Sequence, residues 1–319
     1  MLETFIFSAN AVLPIFLVIA FGYFLRRKDF ITSATVAGMN RLVFDFALPM
    51  LLFRNIYQAD FQALFDPMFI LWLIGGTAAY FALLWAFAEV YLRKRQDLIG
   101  AFVQAGFRAN YAIVGLPLVA NIMGGHDTGK GALAAAFVVT SFNVLSVIVL
   151  TVKDKQSGNF NIALVKSMAL GVCRNPSIIG IVIGVVLNLL NIRLPQVIEA
   201  GVNSMAVLCT PMALIAVGGS IQISEMMGYL KPALVGSALK IIIMPAIFVG
   251  VSILLGFRGE ALAVMFAVFA NPTAVMSYVM AARMNGNTNI TSAIILLTTV
   301  FSSVTLTIGV YALRIFGFF

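Results

Sequence analysis

The sequence predicts an all-α membrane protein: ten transmembrane helices in two inverted five-helix repeats, with helices four and nine broken in mid-span. Three observations predict it. Hydrophobic residues make up 61% of the 319 and charged residues 10%, with 27 Phe and a mean hydropathy of +1.04, against roughly 45–50% and about 25% in soluble domains. Ten apolar runs then follow one another with almost nothing between them. Finally, short motifs recur in order at a nearly constant spacing. A soluble enzyme, a secreted disulfide scaffold and a disordered chain are excluded at this point.

A hydrocarbon core about 30 Å thick takes about 20 apolar residues per crossing helix. Runs of that kind lie at 5–25, 36–56, 67–91, 98–121, 131–152, 165–190, 196–219, 232–256, 260–282 and 288–316, numbered here as spans one to ten. The first run is not a cleavable signal, because its basic cluster Arg26-Arg27-Lys28 follows the apolar stretch. The longest polar stretch is the linker beginning Lys153-Asp154-Lys155-Gln156-Ser157-Gly158-Asn159. It divides the chain into a first repeat at 1–152, a linker at 153–164 and a second repeat at 165–319.

The net charge is +8, from 20 Lys and Arg against 12 Asp and Glu. In a membrane protein that excess belongs to cytoplasmic loops and implies no nucleic acid. Loops after the odd spans of the first half hold Arg26, Arg27, Lys28, Arg93, Lys94, Arg95, Lys153 and Lys155; those after the even spans hold Arg54 and Lys130. Odd spans are therefore expected to end in the cytoplasm, which puts both termini outside. Cys173 and Cys209 stand far apart in apolar runs and read as small core residues.

The repeat is carried by prolines. Pro14 of span one and Pro176 of span six are 162 positions apart, as are Pro49 of span two and Pro211 of span seven. Gly38-Met39-Asn40 is echoed by Gly201-Val202-Asn203, and Ala109-Asn110 of span four by Ala270-Asn271 of span nine, 161 positions on. Five spans per half is an odd number, so the second half enters from the opposite face. Inverted repeats of this kind are the architecture of secondary transporters, with the site at the midplane between halves.

Span four reads Arg108-Ala109-Asn110-Tyr111 through Gly115-Leu116-Pro117, and span nine reads Asn271-Pro272-Thr273. Proline inside a helix costs about 3 kcal/mol, and unpaired carbonyls in hydrocarbon need other partners, so such breaks persist where they face protein or a watery cavity. Asn271-Pro272 has the form of an N-cap followed by proline at the first helical position. A half-helix N-terminus beside an Asn amide would hold an anion such as a carboxylate. The expected substrate contacts are Asn110, Tyr111, Asn271 and Thr273. Asn143 and Ser302 join them because Thr140 and Asn143 of span five match Thr299 and Ser302 of span ten at a spacing of 159. Lys240, ahead of Pro245 in span eight, is either a counter-charge for the substrate or a side chain that snorkels to the interface. Gly115, Pro117 and Pro272 shape the breaks.

Charges within a bilayer cost about 2.5–3.5 kcal/mol each on insertion scales. Arg41 and Asp45 lie one turn apart on span two, which fits an ion pair. A buried Asp45 would also suit proton coupling. Arg108 is read either as an attractor of anions or as a residue of the cytoplasmic mouth. Gly180 and Gly184 form a GxxxG suited to close helix packing. His126 is the single histidine, and the motifs of zincins, serine hydrolases and P-loop ATPases are missing. No catalytic residue, metal or cofactor is expected, and the chain reads as something other than an enzyme.

These residues resemble the auxin efflux carrier family, which includes plant auxin exporters and bacterial malonate permeases. The resemblance runs nearly the whole length: Arg41-Leu42-Val43 through Ala47-Leu48-Pro49-Met50, Arg174-Asn175-Pro176, Pro211 to Gly218-Gly219, Leu239-Lys240 through Pro245, and Thr298-Thr299 with Ser302-Ser303. Asn110 to Gly115-Leu116-Pro117 is similar to the crossover segment of the auxin exporters. The resemblance implies broken helices four and nine crossing beside a panel of helices one, two, six and seven. It further implies an elevator-like carrier for small organic anions, with Asn110 on the substrate carboxylate and Pro117 as crossover proline. Asn271-Pro272 departs from it, since the auxin exporters have Leu-Pro there, and Tyr278 stands where a second crossover proline would fall. A sodium-coupled symporter of the bile-acid-carrier type, an anion channel and a receptor stay open as alternatives. The implied partners are a small organic anion and the lipid bilayer, with a homodimer as an open assembly.

Overall fold

The computed structural model describes residues 2–58, 66–124, 129–153, 176–221 and 227–319. His126, Cys173, Arg174, Asn175, the linker beyond Lys153 and the first part of span six lie outside the described residues. Helices account for nearly all of the rest: α1 (Leu2–Arg27), α2 (Ser33–Leu42), α3 (Leu48–Tyr57), α4 (Pro67–Tyr91), α5 (Gln96–Phe107), α6 (Leu116–Ile122), α7 (Gly129–Lys153), α8 (Pro176–Leu189), α9 (Gln196–Gly219), α10 (Leu230–Ala238), α11 (Met244–Leu254), α12 (Gly259–Ala270), α13 (Met276–Arg283) and α14 (Thr288–Ile315). Among the described residues, seven continuous helices are long and apolar enough to cross a membrane: Glu3–Arg27, Ser33–Tyr57, Pro67–Tyr91, Gly129–Lys153, Gln196–Gly219, Leu230–Leu254 and Thr288–Ile315. Tyr111–Ile122, Pro176–Leu189 and Gly259–Ala270 are apolar but shorter.

Helix starts follow local chemistry. Thr32 caps α2 in a reciprocal box with Thr35. Asp66, followed by Pro67 at the first helical position, accepts from the amides of Met68 and Phe69 at 3.0 and 3.1 Å. Asn287 accepts from the Ile290 amide at 3.1 Å to open α14.

Three prolines are accommodated in one way. Pro49, Pro117 and Pro245 each follow a five-residue π turn, at Val43–Ala47, Tyr111–Gly115 and Leu239–Ile243. In each, the residue before the proline donates to the carbonyl five positions back: Leu48 to Val43, Leu116 to Tyr111 and Met244 to Leu239. The widened turn supplies room for a ring that would otherwise meet a carbonyl of the preceding turn.

The helices pack in two groups. α1 lies along α9, α3 lies along α8 and α9, and α2 also meets α9. Small residues make this approach close: a Cβ on Gly22 would meet the Ile215 backbone, one on Gly218 the Ile19 backbone, and one on Gly180 the Pro49 carbonyl at 2.6 Å. In the other group α5 packs on α4, α7 and α14, α10 on α14, and α11 on α12. Its core holds the rings of Trp72, Tyr80, Phe248 and Phe269, with centroids 5.1 Å apart for Phe248 and Phe269 and 5.4 Å for Tyr80 and Phe248. Contacts of α1 with α6 and α14, and of α3 with α7, join the groups.

Asp45 is a correction to the sequence reading. Arg41 Nε does lie 3.5 Å from Asp45 Oδ2, but the two side chains are 85% and 45% exposed. The π turn carries Asp45 to the outer side of α2 while its neighbour Val43 is buried. The burial on which a coupling role depended is not found.

Candidate functional site

Spans four and nine are both interrupted, and the interruptions are bonded to each other. α5 ends at Phe107 and helical structure resumes at Tyr111; α12 ends at Ala270 and α13 starts at Met276. Between them Ala109 and Thr273 form an isolated antiparallel bridge. The Asn110 amide donates to the Pro272 carbonyl at 2.8 Å, and the Ala274 amide to the Arg108 carbonyl at 3.0 Å. Two extended segments thereby satisfy one another where no water would. The expectation that these amides would be left open for a ligand is therefore overturned for Asn110, Thr273 and Ala274.

The freed carbonyls of α5 are also accounted for. Ala105 O accepts from Thr273 Oγ1 at 2.7 Å, Gly106 O from the Tyr80 hydroxyl at 2.7 Å, and Phe107 O from Lys240 Nζ at 3.3 Å. Gln104 O accepts from the Arg108 amide at 3.2 Å. Lys240 is fully buried, with Nζ 5.2 Å from the Tyr80 ring centre. It places a cation on the negative end of a half-helix. Lys240 is thus enclosed by protein and is not among the residues lining the cavity described below. Thr273 is likewise committed to structure, because its amide also donates to Thr298 Oγ1 at 3.1 Å.

Asn271 differs from the sequence expectation. The residue before a proline is pushed into extended backbone, and Asn271 at φ −65°, ψ 152° ends α12 instead of capping α13. Pro272 is accordingly not the first residue of a helix. The Asn271 side chain is buried, and neither its Oδ1 nor its Nδ2 has a partner among the described residues. It lies against Gly115, where a Cβ would sit 2.5 Å from Asn271 Nδ2 and 2.7 Å from the Tyr111 ring. Gly115 is thus the position at which the two breaks interlock. Pro117 follows two residues later, in the first turn of α6.

Asn110 opens the resumed helix through its backbone, its carbonyl accepting from Val114 at 2.9 Å and Gly115 at 3.2 Å. Its side chain makes no cap and instead lines a cavity of about 250 Å³. Ser33, Asn40 and Phe44 of the α2 region, Ser220 and Ile221 after α9, Val275, Met276 and Tyr278 around the start of α13, and Ser292 and Ile295 of α14 complete most of its wall. None of the described residues that line it is charged. Two helix N-termini open at this wall, one after Asn110 and one at Met276; at the second, the Ser277 and Tyr278 amides already donate to the Ala274 and Val275 carbonyls at 2.9 and 3.1 Å.

The other expected contacts sit elsewhere. The Tyr111 hydroxyl donates to the Gly131 carbonyl at 3.0 Å, Asn143 Oδ1 accepts from Arg108, and Ser302 donates to the Thr299 carbonyl at 3.1 Å. Of the expected substrate residues only Asn110 lines this cavity. Asn40 was visible as a repeat marker and Tyr278 as a departure from the family pattern; Ser33, Ser220 and Ser292 carried no signal. Among the described residues no three His, Cys, Asp or Glu side chains cluster to hold a metal.

Comparison with known proteins places these features in context. The family described as "Membrane transport protein" matches residues 7–310. An uncharacterized transporter of Methanothermobacter thermautotrophicus is 24% identical over 95% of this chain and 97% of its own length. The uncharacterized transporter YfdV of Escherichia coli K12 is 22% identical over 97% and 98%. A Rhizobium meliloti protein whose name provisionally assigns it to malonate transport is 26% identical over 95% of each chain.

Proposed function

The chain belongs to the membrane transport protein family, that of the auxin efflux carriers, and from this premise we propose that it is an elevator-like secondary carrier of a small organic anion. The observation that carries the reading is the cavity at Asn110. It is large enough for a small acid, none of the described residues lining it is charged, and it is met by the helix N-terminus that follows Asn110 and by Asn110, whose side chain makes no cap. Partial positive charge of this kind suits a carboxylate.

In this reading ten spans form two inverted repeats with both termini outside, and spans four and nine are its crossover helices. The group containing both breaks moves with the substrate against the group built on α1, α3, α8 and α9. The cavity lies where these groups meet, which is where such a carrier holds its cargo. The relative named for malonate transport makes short carboxylic acids the first substrates to try.

Uptake of radiolabelled malonate into proteoliposomes tests it. Asn110→Ala is expected to lower uptake at least about tenfold, as for loss of a charge-assisted hydrogen bond. Uptake unchanged in the variant would remove the carboxylate contact.

A further inference from the structure

Arg108 is buried, 8% exposed, and its two side-chain partners are uncharged: Nη2 donates to Asn143 Oδ1 at 2.8 Å and Nη1 to the Met280 thioether at 3.0 Å. No carboxylate among the described residues pairs with it. A guanidinium keeps its proton in proteins, and burying a charge without a counter-ion is costly. Within a membrane such a group marks a substrate or ion path more often than a structural fixture.

Its position relative to the cavity gives that charge a use. Arg108 stands two residues before Asn110, in the segment whose Ala109 bridges Thr273, with Arg108 extended and Asn110 turning into the resumed helix. Asn110 lines the cavity. On the facing helix Met276 lines it too, and Met280 lies one turn along the same face of α13. Met280, whose thioether accepts from the guanidinium, therefore sits on the helix whose first turn lines the cavity, and methionine is the side chain most easily moved aside. A thioether is a weak acceptor for an Arg donor, and a carboxylate oxygen in its place would make a hydrogen bond about twice as strong.

We propose that Arg108 is the binding group for a second carboxylate, and that the substrates are dicarboxylates: one carboxylate at Asn110 and the adjoining helix N-terminus, the other on Arg108 in place of the Met280 sulfur. The inference rests on the anion-carrier reading and adds to it the charge that the substrate must carry. A monocarboxylate fills only the Asn110 end and leaves the guanidinium on its uncharged partners. The dicarboxylate neutralises it, so the bound form loses the buried excess charge of the empty one.

The test compares malonate with its monomethyl ester, which keeps one carboxylate and masks the other, by calorimetry on the purified full-length protein. Malonate is expected to bind roughly ten- to hundredfold tighter. Arg108→Gln is expected to bring the two ligands to within about threefold of each other, while weak binding of the ester persists. Arg108→Lys retains the charge and is expected to keep part of the preference, which separates lost recognition from lost folding. Equal binding of malonate and ester by the wild-type protein overturns the proposal without recourse to any variant. So does a malonate preference that survives Arg108→Gln. If wild-type protein binds neither ligand, the anion reading falls and this inference with it; if both bind equally and Asn110→Ala weakens both, the anion reading stands and only the inference falls.

Discussion

The two broken helices share a sequence motif and differ in how their ends are satisfied. At the end of α5, side chains from three other segments donate to successive carbonyls: Thr273 to Ala105, Tyr80 to Gly106 and Lys240 to Phe107. At the end of α12, no side chain among the described residues donates to the last turn, and the Asn271 amide at its tip is buried without a partner. A duplicated chain can repeat a break, but a single Lys240 and a single Tyr80 serve only one of the two ends. Lys240 and Tyr80 are 160 positions apart, close to the spacing of the repeat, and both act on α5. The lesson is that an intramembrane cation is read correctly only once its acceptor is known. Lys240 answers a helix end; Arg108, a few residues from that same end, has only uncharged partners.

The largest expected effect comes from forcing the two breaks apart. A methyl group on Gly115 meets the Asn271 amide and the Tyr111 ring, so Gly115→Ala is expected to cost about 2 kcal/mol and to lower transport more than tenfold. Thermal unfolding and proteoliposome uptake, measured on the same preparation, check both. If stability and uptake stay at wild-type levels, the interlock is not needed.

Lys240→Met is expected to come next. It leaves the Phe107 carbonyl unpaired in a buried setting and costs about 1–2 kcal/mol, part of it offset because a charge need no longer be buried. The smallest effect is expected at the other break. Asn271→Leu replaces an unpartnered amide with an apolar group of similar shape and is expected to shift stability by less than about 1 kcal/mol. Unfolding midpoints of the two variants side by side sharpen the contrast. A loss at Asn271 as large as that at Lys240 would break it, by showing that the amide has a partner of its own.

Much of the fold was legible in the sequence because hydrocarbon permits so few structures. Apolar runs of the right length read as helices, and the Ala-Asn motif repeated 161 positions apart, with Pro117 and Pro272 beside it, pointed to spans four and nine as the interrupted ones. The residue identities also foretold Gly180 and Gly184 as a close packing surface, realised against α3. The site was legible only in part. Asn110 was found because a break presents an N-terminus next to a polar amide. Thr273, Tyr111, Asn143 and Ser302 were not distinguishable from ligand contacts, since a hydroxyl or amide that binds a backbone carbonyl has the same letter as one that binds a substrate.

The sequence alone determined that this chain lives in a membrane, that it is helical, and that two of its helices break at Asn-containing motifs. Those properties follow from transfer free energies and from the missing amide of proline, which act on each segment by itself. Tertiary structure decided which polar groups were consumed in mending the breaks and which were left over. It turned Lys240 inward onto a carbonyl, carried Asp45 to the outer surface, and left Asn110 facing a cavity with Arg108 beside it. Hydrogen-bond partners arrive from distant helices, and no local pattern records which donor reaches which acceptor.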